Sequence, residues 1–80
     1  MFNFSANNLI LVSKDTHDKC NVFIFKDRDT KRCYKTYDFT KSIIPEYGRL
    51  YCIFGKINSV DKFYLILEGL KEDKKNAMKV

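Results

Sequence analysis

A small five-stranded antiparallel barrel, all-β or mainly β, is the fold that this sequence predicts, and three observations predict it. Short β-branched and aromatic runs recur at regular spacing, with turn residues between them. No stretch keeps helical periodicity over three turns. The chain has 80 residues, 45% hydrophobic and 15% aromatic, which makes one domain near the lower size limit for a lone apolar core. Seven phenylalanines and five tyrosines offset the small size, because each ring buries a large area.

The first strand is centred on Leu9-Ile10-Leu11-Val12, with an extension back through Phe4, and Lys14 to Lys19 is a polar connection. Cys20 to Lys26 and Lys31 to Phe39 form the second and third strands. Asp27-Arg28-Asp29-Thr30 turns the chain between them, since aspartate tolerates turn geometry and bonds its own backbone. A turn with Arg28-Asp29 at its tip sets Phe23 opposite Tyr34 and Phe25 opposite Arg32 on one face. The other face then carries Ile24 opposite Cys33, Val22 opposite Lys35 and Cys20 opposite Tyr37, so both faces are substantially apolar. Thr40 to Gly48 is a turn-rich crossing with room for one short helical turn; Pro45 disfavours helix at Ile44, and Gly48 suits a reversal. Arg49 to Ile57 and Lys62 to Leu70 are the fourth and fifth strands, joined through Asn58 to Asp61. Their hairpin sets Cys52 by Leu67, Ile53 by Ile66, Phe54 by Leu65, and Gly55 opposite a Tyr64 ring that covers its bare backbone. Residues 1–70 therefore form the β domain, and 71–80 read as a charged, flexible tail.

Five strands with a longer break after the third is the element order of an OB-fold barrel. The stretch Gly48 to Leu70 (GRLYCIFGKINSVDKFYLILEGL) resembles the closing hairpin of such barrels, with a glycine in the fourth strand and alternating aliphatics in the fifth. That resemblance implies a binding surface centred on the second and third strands, flanked by the loops Lys14 to Lys19 and Asn58 to Asp61. An SH3-like barrel, or an open antiparallel sheet with one short helix, satisfies the same pattern.

Catalysis finds little support. His17 is the one histidine and lies in a connecting loop beside Asp15 and Asp18, with no cysteine or serine set against it by the order of residues. No glycine-rich phosphate loop or dinucleotide fingerprint occurs. Cys20, Cys33 and Cys52 are widely spaced and form no C-x-x-C pair; they read as reduced thiols packed as small hydrophobes. No enzyme activity, metal or cofactor is expected. The first apolar run is only four residues long, which argues against a signal peptide or membrane span and for a cytoplasmic protein.

The formal net charge is +5, and Lys26 to Lys35 concentrates five basic residues against two aspartates. A local basic excess is the footprint of a polyanionic partner. The first hairpin interleaves such cations with rings, the combination that single-stranded nucleic acid requires. The candidate site is therefore Phe23, Phe25, Lys26, Arg28, Lys31, Arg32, Tyr34 and Lys35, extended by Arg49 and Tyr51 on the fourth strand. Against it stands the plainer reading of phenylalanines in the core and lysines guarding a hairpin tip. A rival function is that of a small phage- or mobile-element-type inhibitor that blocks a host protein, because exposed Tyr and Arg serve protein interfaces equally well. An uncovered edge strand would also allow a homodimer.

Overall fold

The computed structural model describes residues 2–58 and 64–77. Five strands, β1 (Phe2–Thr16), β2 (Asn21–Asp27), β3 (Cys33–Asp38), β4 (Leu50–Asn58) and β5 (Tyr64–Glu72), precede one helical turn, α1 (Lys74–Ala77). They close into a barrel in the order β1-β2-β3-β5-β4, with β4 paired back onto β1. The expected small β barrel is present, with one departure from the antiparallel expectation. A ring with an odd number of strands cannot alternate direction throughout, so one pairing must be parallel. It falls between β3 and β5, at Thr36–Leu65 and Tyr37–Ile66. Closure pairs every strand with two neighbours.

β1 is longer than its apolar run suggested, because it serves two neighbours. Phe2 to Ala6 pair with β4, Leu11 to Thr16 pair with β2, and Leu9 and Ile10 pair with both. The register slips at Asn7–Asn8 against β4 and at Val12 against β2. Such bulges bend a strand, which lets this one wrap the barrel. Asn8 sits at φ 60°, a conformation that asparagine tolerates better than most residues.

The first hairpin differs in register from the sequence expectation, but not in its faces. Asp27 Oδ1 accepts the backbone N–H groups of Asp29 (2.8 Å) and Thr30 (3.1 Å), and Lys31 adopts φ 67°. The loop therefore spans Arg28 to Lys31 and is closed by Asp27 N–H to the Arg32 carbonyl at 2.8 Å. Two added loop residues shift every pair by two, so Phe23 faces Thr36 and Phe25 faces Tyr34, while Ile24 faces Lys35 and Val22 faces Tyr37. An even shift preserves the side of the sheet.

The β4–β5 hairpin is displaced further. Cys52 pairs with Lys71, Ile53 with Leu70, Phe54 with Gly69 and Gly55 with Leu67, and Glu68 is bulged. Gly55 is thus not opposite Tyr64, which pairs with Asn58 instead. Its requirement is closeness of backbone: a Cβ there would stand 1.9 Å from the Ile66 carbonyl oxygen. The aromatic cover falls on Gly69, where Phe54 lies over the bare backbone. The expected connection through Ser59 to Asp61, and the start of the fifth strand at Lys62 and Phe63, lie outside the described residues.

The interior is filled by Leu9, Leu11, Phe23, Phe25, Tyr51, Ile53 and Leu67. Phe25 meets Tyr51 edge-on at 6.3 Å, the arrangement that ring quadrupoles favour, and packs against Phe23 at 6.4 Å with the planes tilted by 60°. Residues 40–48 form no helical turn. Asp38, fully buried, organises them instead by accepting the N–H groups of Thr40, Lys41 and Ile43, and Pro45 is buried below. The C-terminal segment also differs from a flexible tail over its described part. β5 continues to Glu72, and Asp73 is buried, its carboxylate receiving the N–H groups of Asn8 (2.7 Å) and Asn76 (3.1 Å).

Candidate functional site

The barrel wall formed by β2 and β3 has a dry inner side and a partly accessible outer side, and the rings expected at the site from the sequence lie on the dry one. Phe23 is 3% exposed and Phe25 is fully buried, so neither can stack on a ligand. Tyr51 is also interior, its hydroxyl accepting the Glu46 N–H at 2.9 Å. The physical reason lies in β1. Leu9 and Leu11 face inward, and Leu11 pairs with Phe25, which draws the phenylalanines to the barrel axis. Tyr34 shares their face and packs half-buried against the core.

The predicted cations separate into two groups. Arg49 is held by Glu46 at 2.6 Å and by Glu72, and both carboxylates push its pKa further up while cancelling its charge. Arg28 donates from Nη2 to the Asn76 carbonyl at 3.1 Å, and Lys31 donates from Nζ to the Arg28 carbonyl at 2.9 Å. These three serve the hairpin tip and the C-terminal segment. Lys26 and Lys35 stand on the outer face of β2–β3, and Arg32 lies at its border.

On that outer face β3 presents Lys35 and Tyr37 at alternate positions, and Phe39 follows at the bend just past its end. Lys35 Nζ lies 5.8 Å from the Tyr37 ring centre, and Tyr37 stacks on Phe39 at 6.4 Å with 20° between planes. Phe39 is 50% exposed, so its ring is available to a further planar group. Beside this column Val22, Ile24, Cys20, His17 and Asp15 line a shallow groove together with Lys35 and Tyr37. The loop after β1 is turned by His17 N–H to the Cys20 carbonyl at 2.9 Å. Lys41, at φ 57°, reaches across from the β3–β4 segment to the His17 carbonyl at 2.7 Å and pins that turn at the groove's end.

The candidate set drawn from the sequence leaves out Val22, Ile24, Tyr37, Phe39 and Lys41, which line or flank this groove. The signal was the alternation Lys35-Tyr37-Phe39, which is as regular as Phe23-Phe25 and better charged.

The thiols are free and less buried than expected: Cys33 is exposed, opposite Lys26, while Cys20 and Cys52 are half-buried. Among the described residues no three His, Cys, Asp or Glu side chains converge as a metal site. No described helix is long and apolar enough to cross a membrane. No protein-family model matches the chain, and no curated protein or solved structure matches it either.

Proposed function

We propose that this chain is a non-enzymatic module that binds single-stranded nucleic acid across the outer face of β2 and β3. One observation carries the reading: the column Lys35-Tyr37-Phe39, a cation followed by two stacked rings, borders an open groove with an apolar floor. Bases stack on aromatic faces with about 1–3 kcal/mol each, and cations beside them neutralise the phosphates. Phe39 offers the open ring face, Tyr37 supports it from below, and Lys35, Lys26 and Arg32 supply the charge. Asp15 at the groove's margin repels phosphate and keeps the backbone on the lysine side.

The test is a titration of labelled oligothymidine at several salt concentrations. Three phosphate contacts give a log–log slope of about −2, at about −0.7 per phosphate. Phe39→Ala weakens binding by about tenfold or more while leaving the melting temperature unchanged. Absence of binding at low salt, or binding indifferent to salt, overturns the proposal.

A second reading, docking to a host protein in the manner of a phage- or mobile-element inhibitor, draws on a different surface. Ile44, 82% exposed, and Tyr47, 55% exposed, project from the β3–β4 segment. In that case Ile44→Asp abolishes partner capture after nuclease treatment and Phe39→Ala does not.

A further inference from the structure

Between β3 and β5 the hydrogen-bonded pairing covers only Thr36–Leu65 and Tyr37–Ile66. Beside β3, on the side of this pairing toward the first hairpin, lies a hollow of about 450 Å³. Phe4, Tyr34, Ile57 and Leu65 line it, one residue from each of four strands. Arg32, Lys35 and Ser5 supply its polar side.

We propose that this hollow takes one unstacked base of the nucleic-acid strand lying along β3, an inference that rests on the function proposed above. Lys35 and Tyr37 belong both to the stacking column and to the wall of the hollow. A strand following that column therefore passes the opening. The rings of Phe4, Tyr34 and Tyr37 and the two aliphatic side chains of the lining suit the flat apolar faces of a base, and Ser5 offers its edge a hydrogen-bonding hydroxyl. Arg32 and Lys35 stand where the two flanking phosphates would need neutralising. An aliphatic peptide side chain would fill the same floor, but it would leave both cations without an anion. Charge decides for the nucleotide.

The experiment uses the full chain and the shortest oligothymidine that binds at full affinity, so that the register cannot slide. A single 2-aminopurine is moved along it; stacking quenches this base's emission, and an apolar pocket away from neighbouring bases restores it. One position should brighten on binding while the positions on the column dim. Ser5→Trp, which plugs the opening, should abolish the brightening and weaken binding by about tenfold, while the dimming at the other positions remains. If every position dims, or if Ser5→Trp leaves the bright position bright, the base pocket is wrong and the binding face stands. If the unmodified oligonucleotide does not bind at all, both fall together. Should Ser5→Trp fail to fold, the scan on the unaltered chain still decides.

Discussion

Asp27, Asp38 and Asp73 each hold backbone N–H groups that the strands leave unpaired, and Asp73 ties together the most distant parts of the chain. It receives Asn8 N–H at one oxygen and Asn76 N–H at the other, and the Asn76 side chain adds a bond of 2.6 Å. Burial alone would raise its pKa, but the bonds from Asn76, Asn8 and the Cys52 thiol outweigh it and leave the value lowered. A carboxyl whose folded pKa lies below its unfolded one stabilises the fold above the unfolded value, about pH 4, and ceases to do so as pH falls through the folded value. Urea unfolding at neutral pH and in acid should show this loss, and Asp73→Asn should diminish it. Asp73→Ala at neutral pH should cost about 1–3 kcal/mol, because it strands the buried Asn8 N–H. The thiols give a second check at this scale. Burial, and then the Asp73 charge, push Cys52 up, whereas Cys33 is exposed. A thiol reagent at neutral pH should modify Cys33 first and Cys52 last, with Cys52 becoming fast in denaturant.

At the level of elements, two glycines in one hairpin should respond differently to the same change. Gly55→Ala drives a methyl into the Ile66 carbonyl, a backbone atom that cannot turn aside, so thermal unfolding should show a loss of about 3 kcal/mol or more. Gly69→Ala meets only the rim of the Phe54 ring, 47% exposed and able to rotate outward, and should cost about 1 kcal/mol. The hairpins also show what could be read in advance. Strand identity was legible because alternation survives a change of partner, and the faces of β2 and β3 were legible because the loop lengthened by an even number of residues. The register was not, since it depends on Asp27 capping a four-residue loop and on a bulge at Glu68. Nor was the wet side of β2–β3. With Val22 and Ile24 against Phe23 and Phe25, both sides are apolar, and only pairing to Leu11 of β1 settles which one turns inward.

Over the whole molecule the aromatic residues divide into a structural and an exposed set, and paired variants should separate them. Phe23→Ala or Phe25→Ala should cost about 3–5 kcal/mol and unfold so small a domain, whatever its ligand. Tyr37→Ala and Phe39→Ala should leave circular dichroism intact and reduce oligonucleotide affinity. Arg49→Ala should leave that affinity unchanged, because Glu46 and Glu72 already neutralise it.

The parallel seam between β3 and β5 also has a temporal consequence. The wall of the barrel is complete only when β5 slots between β3 and β4, and the bond from Asn8 to Asp73 joins positions 65 apart. Such long-range closure is slow, on the order of milliseconds to seconds. A nascent chain still lacking β5 on the ribosome would expose two raw strand margins and half of an oily interior. Its vulnerability to aggregation is therefore greatest just before β5 emerges and seals the ring.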